Sequence, residues 1–273
     1  MYGDKGYEEV REVVESTLHH AQRMQAARAI ALCQCFNGAL EFQAGNWTRA
    51  EESLRQSIAL YREIGAASGE ALARQRLGVV LTARGQFDEA LHVLEEGAAV
   101  AERAVMRAHC LARLYASMAH NRLEAGDFDA AGDVLREGLN MSKRHGNCTT
   151  CDALLLPVAV RVHTEQGELE TAAEFCRQLE EAAARYGSRT WVAMSRQAHG
   201  RLAAARGKHE EALQALDETT AGFRQAGFDY EAARCLSAAA EIRRQRATPH
   251  DIEKASRLRR EAERIYATLD PAS

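Results

Sequence analysis

The chain has 273 residues, of which 27% are charged and 6% aromatic, and its formal net charge is −4. No apolar run reaches the roughly 18–20 residues that span a bilayer, and the acidic start MYGDKGYEEVREVVES does not resemble a signal peptide. We therefore expect a cytoplasmic protein that binds neither membranes nor, for lack of a basic field, nucleic acid. Only three prolines are present, while alanine, leucine, glutamate and arginine dominate, which favours an all-α fold.

The first predicted element is a leading helix over residues 6–22, with no partner helix before it. We interpret it as an N-terminal cap or as the remnant of a longer parent chain. Its apolar stripe consists of Val10, Val13, Val14 and Leu18. Since the ends of helical arrays expose apolar faces unless they are capped, this stripe also predicts a homodimer formed through one end of the chain.

A glycine-led element then recurs five times, with an alanine five residues after the glycine. It appears as GNWTRA at Gly45, GQFDEA at Gly85, GDFDAA at Gly126, GELETA at Gly167 and GKHEEA at Gly207. The glycines are 40, 41, 41 and 40 residues apart. Each one follows an amphipathic stretch and supplies the left-handed conformation that ends a helix. The position seven residues before the glycine is mostly small, which predicts a close helix crossing: Gly38, Gly78, Ala119, Val160 and Gly200.

The element divides the chain into about six helix pairs after the leading segment. The predicted pairs are 24–44 with 47–64, 68–84 with 87–103, 106–125 with 128–145, 149–166 with 169–186, 189–206 with 209–226, and 229–246 with 250–268. The corresponding repeats are 24–65, 66–105, 106–146, 147–187, 188–227 and 228–268, between a leading segment 1–23 and a tail 269–273. Pro157 predicts a kink in its helix, unless that helix begins only near Ala153.

The pattern of a small residue, a glycine, an aromatic residue, an alanine and a leucine resembles the tetratricopeptide repeat. The period of 40–41 residues exceeds the usual period of about 34. Longer repeats of this kind resemble the C-terminal sensor regions of large bacterial transcription activators of the maltose-activator, LuxR-like type. The resemblance covers roughly residues 24–267 and implies an all-α, right-handed superhelical α-solenoid. It also implies a non-catalytic scaffold that binds a protein, a peptide or an effector within a transcription regulator.

The same resemblance implies which side chains face the groove on the first helix of each pair. The positions are Ala39, Val79, His120, Arg161 and Arg201 and, nearer the helix starts, Leu32, Leu72, Arg113, Leu154, Met194 and Arg234. The groove is then apolar early and carries cationic or titratable groups later: Arg113, His120, Arg161, Arg201 and Arg234. Arginines suit carboxylates and phosphates, so we predict an acidic protein or peptide partner, or a small anionic effector. The alternative is that these are solvated charges paired with glutamates such as Glu124 and Glu165.

The segment HGNCTTC at residues 145–151 is the one local motif with chemical content. His145, Cys148 and Cys151, joined by Cys110 one repeat earlier, have the residue types of a Cys₃His zinc site. The same thiols suit a redox sensor, and the third interpretation is purely structural. The other cysteines, at small-residue positions, are expected to be buried small hydrophobes: Cys33, Cys35, Cys176 and Cys235. No catalytic triad order, paired-carboxylate pocket, HExxH signature or phosphate loop is present, so we expect no enzyme.

Overall fold

The computed structural model describes residues 7–144 and 149–269, without the side chains of residues 149–153. Within those ranges the chain forms thirteen helices and no strand, which confirms the all-α prediction. The helices are α1 Tyr7–Arg23, α2 Ala27–Gln43, α3 Trp47–Glu63, α4 Ala67–Ala83, α5 Phe87–Ala101, α6 Arg107–Glu124, α7 Phe128–Arg144, α8 Thr149–Glu165, α9 Leu169–Tyr186, α10 Arg189–Ala205, α11 His209–Gln225, α12 Asp229–Arg246 and α13 Pro249–Thr268.

These bounds agree with the predicted helices to within three residues at every end. Helix α8 begins at Thr149 and contains Pro157, so the alternative start near Ala153 is wrong. The division of the chain into repeats at the predicted boundaries stays a prediction.

The two helices of a repeat pack closely because a small residue lies where they cross. A Cβ atom built on Gly38 of α2 would lie 2.5 Å from Leu54 Cγ and 2.9 Å from the Ala50 carbonyl oxygen of α3. Gly78 of α4 has the same relationship to Leu94 of α5. The alanines five residues after the repeat glycines are completely buried: Ala50, Ala90, Ala131, Ala172 and Ala212.

Most of the described turns contain a residue in the left-handed conformation after the preceding helix, whereas the turn between α5 and α6 does not. Gly85 takes this conformation with φ of 75° after α4, as predicted for the repeat glycines. After α12, in the altered turn ATPHDIEKA, Ala247 takes the same conformation with φ of 55°. Thr248 then caps α13 by accepting a hydrogen bond from the Asp251 amide, and Pro249 occupies the first turn, where no backbone donor is needed.

The described residues form two compact units, an N-terminal unit of residues 7–42, 47–144 and 149–158 and a C-terminal unit of residues 43–46 and 159–269. In the N-terminal unit α4 packs on α3, α5 and α6. In the C-terminal unit α10 packs on α9 and α11, while α12 packs on α11 and α13. The core of the latter is built around Leu216, Phe223 and Cys235.

The leading helix α1 belongs to the N-terminal unit and packs on α2. Val14 is buried against Cys33 and Leu40, with Val10 and Leu18 partly buried beside them. Three of the four residues in the predicted stripe therefore pack against α2, while Val13 stays exposed. Self-association through this helix stays a prediction.

Candidate functional site

In the N-terminal unit, the first helices α2, α4 and α6 present one row of partly or fully exposed side chains, which we call the N-terminal strip. It consists of Leu32, Phe36, Leu72, Arg76, Arg113 and His120. Leu32 is 48% exposed, although leucine is normally a core residue. An exposed leucine beside cationic groups suits a partner that offers both apolar and anionic groups.

Arg76 is fixed between α2 and α4. Its guanidinium carbon lies 4.8 Å from the centre of the Phe36 ring, and its Nη1 donates to the Cys35 carbonyl oxygen at 3.1 Å. The contact is a cation–π interaction, which holds the planar head group against the ring. Arg76 was missed by the sequence analysis, although it lies one helical turn after Leu72, a position predicted to face the groove.

Buried hydrogen bonds connect α4 to the next first helix, α6. Gln75 Nε2 donates to Ser117 Oγ at 2.7 Å, and Asn121 Nδ2 donates to Thr82 Oγ1 at 3.0 Å. Because these bonds are specific in direction and length, they fix the register between α4 and α6, two of the three helices that carry the strip.

Arg113 of α6 is partly buried, and its Nε atom has no hydrogen-bond partner among the residues that the structure describes. His109 lies one turn earlier on the same helix. Burial lowers the pKa of His109, and the positive charge of Arg113 lowers it further. The predicted binding residue Arg113 is thus a cation beside a histidine that is held neutral.

His120 is also partly buried, and its Nδ1 lies 3.8 Å from Glu124 Oε1 on the next turn. This pair matches the alternative interpretation, in which the predicted residues bind nearby glutamates. The distance is at the limit of an ion pair, and both groups are only partly exposed. His120 is therefore better suited to adjusting the local charge than to gripping a ligand.

The other predicted binding residues, Arg161 of α8, Arg201 of α10 and Arg234 of α12, lie in the C-terminal unit and are partly buried. The charges of Arg201 and Arg234 both act on the thiol of Cys235. Burial raises the pKa of Cys235 to about 11, and the hydrogen bond from Gln197 and the charges of both arginines oppose this shift.

Arg234 has two further neighbours on its own helix. Its Nη1 lies 3.3 Å from Glu231 Oε2, and its guanidinium carbon lies 5.7 Å from the centre of the Tyr230 ring. Two of the predicted binding residues, Arg201 and Arg234, therefore lie on neighbouring first helices of this unit, and Arg234 forms an ion pair with Glu231.

The predicted zinc or redox site falls mainly outside the described residues, which exclude His145 and Cys148 and the side chain of Cys151. Its fourth member, Cys110, is described and fully buried. Its thiol lies 3.7 Å from the Ser68 carbonyl oxygen, and burial raises its pKa to about 11. A zinc ligand must be a thiolate, which this environment disfavours. The zinc and redox hypotheses themselves stay predictions.

The remaining cysteines are buried free thiols, as predicted: Cys33, Cys35, Cys176 and Cys235. Among residues 7–144 and 149–269, no group of three or more histidine, cysteine or acidic side chains has an arrangement suited to a metal ion.

The comparison with protein families shows the family to which the chain belongs. The family model described as the MalT-like TPR region matches residues 4–247. The chain belongs to this family. The MalT-like TPR assignment confirms the predicted resemblance to tetratricopeptide repeats of the maltose-activator type. No significant sequence match was found among curated proteins.

Solved structures with the same fold are similar to this MalT-like TPR chain at low identity. The Rap protein complexed with Competence and Sporulation Factor matches with a TM-score of 0.74 and 14% identity, over 94% of this chain and 70% of Rap. The Cut9–Hcn1 hetero-tetramer of APC/C matches with a TM-score of 0.62 and 13% identity, over 93% of this chain and 45% of the other. BtubC from P. vanneervenii matches with a TM-score of 0.53 and 18% identity, over 86% and 94% of the two chains. In the described part of this chain, no helix is long and apolar enough to cross a membrane.

Proposed function

We propose that this chain is a non-catalytic scaffold of a bacterial transcription regulator and that its first helices bind an acidic partner polypeptide. The observation that carries the proposal is the pair of partly buried arginines Arg201 and Arg234 on neighbouring first helices, whose charges both act on the thiol of Cys235. An anionic partner that contacts both guanidinium groups is attracted by each of them. Arginine binds carboxylates through two parallel hydrogen bonds, which adds direction to this attraction.

The family and the fold support a binding role. MalT-like TPR chains are built from helix pairs, and a helix-pair array offers a long surface of first helices instead of one catalytic pocket. Each first helix of 17 or 18 residues is about 26 Å long at 1.5 Å per residue. A polypeptide can contact several such helices in succession, whereas a small effector contacts only one or two of them. Rap and Cut9, which share the fold, were each solved with a further molecule.

The test is partner capture by a charge-reversed variant. We expect Arg161→Glu combined with Arg201→Glu to lower partner affinity by at least about tenfold, since each bidentate arginine–carboxylate contact is worth on the order of 1.5–3 kcal/mol. The full chain is cross-linked to bound proteins, the captured partner is identified by mass spectrometry, and its affinity is then measured by fluorescence anisotropy with purified protein.

The matched control reverses two arginines on second helices of the same unit. Arg177 on α9 and Arg259 on α13 are 61% and 77% exposed, and Arg177→Glu with Arg259→Glu changes the net charge by the same amount. Circular dichroism checks that both double variants keep their helicity. Undiminished capture by the Arg161→Glu, Arg201→Glu variant, or equal losses in both variants, contradicts the proposal. Capture of a small anion alone would favour an effector over a polypeptide.

A further inference from the structure

The N-terminal unit holds a buried polar atom whose hydrogen-bonding capacity is unused. Gln75 is only 4% exposed, and its Oε1 has no hydrogen-bond partner among the described residues. Its Nε2 donates to Ser117 Oγ at 2.7 Å. Turning the amide over exchanges the two atoms, yet one of them is left without a partner in either orientation. Buried polar groups are satisfied in nearly all cases, and the exceptions concentrate at functional places.

A second buried polar group without a hydrogen-bond partner among the described residues lies on α6, one helical turn before Ser117. Arg113 precedes Ser117 by four residues on α6, so the two side chains lie on the same helix face, roughly 5–6 Å apart at Cβ. The Nε atom of Arg113 is buried and has no hydrogen-bond partner within the described ranges.

These two groups define complementary chemistry on adjacent helices. Gln75 requires a main-chain-like amide group, either its N–H or its C=O according to the orientation of the glutamine, and Arg113 requires an anionic acceptor. The Nε atom of Arg113 makes no hydrogen bond to a described residue, so it remains available to an anionic ligand, and the subsite requires a side-chain shift that gives the ligand access to the buried Gln75. The exposed Leu32 and the Phe36–Arg76 pair lie on the neighbouring α2 and α4, where an apolar side chain can pack.

We propose that Gln75 and Arg113, with Ser117 fixing the glutamine, form a subsite for one residue of an extended acidic polypeptide. Gln75 binds the main-chain amide of that residue, and Arg113 binds its side-chain carboxylate. The subsite rests on the proposed function, in that the partner is an acidic polypeptide, but it lies in the N-terminal unit and involves none of the C-terminal arginines.

The probe is a fluorescein-labelled, terminally blocked twelve-residue peptide of alternating leucine and glutamate, with a leucine–glutamine peptide as the neutral control. Anisotropy with the full chain measures the affinity. We expect the acidic peptide to bind at least about tenfold more tightly than the neutral one, and Gln75→Met and Arg113→Met each to reduce that affinity about tenfold. The control substitutions, Gln178→Met and Arg136→Met on second helices, should leave it unchanged.

A scan of single N-methyl groups along the peptide isolates the contact to Gln75. N-methylation at one peptide position should weaken binding to the native chain. The same methylation should not weaken binding to Gln75→Met any further, because that variant has already lost the contact. A structural role for Gln75 would not produce such coupling. The melting temperature of Gln75→Met should change little, since removal of the unsatisfied Oε1 offsets loss of the hydrogen bond to Ser117.

The outcomes separate the subsite from the proposed function. If Arg161→Glu with Arg201→Glu weakens binding while Gln75→Met and Arg113→Met do not, the subsite is wrong and the proposed function stands. If the acidic peptide does not bind in preference to the neutral one, both are wrong. A crystal structure in which an ordered water alone satisfies Gln75, in the presence of bound peptide, also overturns the subsite.

Discussion

Asn121 of α6 joins two repeats by donating from Nδ2 both to Thr82 Oγ1 at 3.0 Å and to the Phe87 carbonyl oxygen at 3.2 Å. Asn121 is only 1% exposed, and Thr82 in turn donates to the Gly78 carbonyl oxygen. One side chain therefore connects α6 to the end of α4 and the start of α5.

Replacing Asn121 should destabilise the N-terminal unit. Asn121→Leu removes both hydrogen bonds and leaves the Phe87 carbonyl and the Thr82 hydroxyl with one partner fewer, at a cost of about 1–3 kcal/mol. Urea unfolding followed by circular dichroism measures the change in midpoint. Asn140→Leu, at an exposed position of α7, is the control and should have little effect. Equal midpoints for the native chain and Asn121→Leu would show that the bonds contribute nothing net.

Two glycines inside helices should respond oppositely to the same substitution. Gly38→Ala places a Cβ against Leu54 and the Ala50 carbonyl, and we expect overpacking to cost about 1–3 kcal/mol, more than alanine's higher helix propensity returns. At Gly222 of α11 the new Cβ would meet only Ala193, at 3.7 Å. Gly222→Ala should therefore stabilise by about 0.5–1 kcal/mol. Thermal unfolding of both variants tests the contrast, and a stabilised Gly38→Ala would contradict the close crossing.

The turn between α12 and α13 should make stability depend on acid pH through Asp251. The hydrogen bond from Thr248 and the charges of Arg246 and Arg243 lower the pKa of Asp251 below its ordinary value of 3.8. A carboxylate with a depressed folded pKa stabilises the folded state above its unfolded pKa, and this contribution is lost as the pH falls through the folded pKa.

We therefore expect Asp251→Asn to lower the melting temperature at pH 7. As the pH falls below 4, the melting temperatures of the native chain and of the variant should approach each other. Melting curves between pH 3 and pH 7 provide the measurement. Asp217→Asn, at an exposed position of α11, is the control. A difference between Asp251→Asn and the native chain that does not change with pH would contradict the role of the charge.

The buried thiols should be inert toward alkylating reagents in the native state. Burial raises the pKa of Cys110, Cys176 and Cys235 to about 11, so that at pH 8 they are protonated as well as inaccessible. A thiol titration at pH 8 should modify these three only after unfolding. If the chain binds zinc, Cys110→Ser should retain it, and a loss of zinc in that variant would show that Cys110 becomes a thiolate ligand.

The order and lengths of the helices could be predicted from the sequence because each repeat has its own residues that end helices and mark helix crossings. Gly85 and Gly126 mark helix ends, and Gly38 and Gly78 mark crossings, so that five copies of one pattern reinforce each other. Where the helix-ending glycine is missing, Ala247 takes the left-handed conformation in its place. The neighbouring Pro249 still indicates where α13 begins.

The candidate site was harder to predict because it depends on contacts between repeats. The resemblance to tetratricopeptide repeats placed Arg113 and Arg201 on first-helix faces, but it does not indicate which neighbouring groups they meet. Gln75 has no distinctive sequence pattern, since its unused amide atom appears only when α4 and α6 are packed together. Arg76 follows Leu72 by four residues, and extending the predicted stripe by one turn would have included it.

The small residues at the helix crossings separate two tasks that most domains combine. Gly78 sets the distance between the helices of its pair, while Val79, one residue later, is partly exposed. Ala39, which was predicted to face the groove, is instead buried, because the helix turns its face toward the core there. Substitutions at Val79 can therefore change what the surface recognises without altering how the helices stack. Such an array can acquire a new ligand one side chain at a time, while its architecture is inherited unchanged.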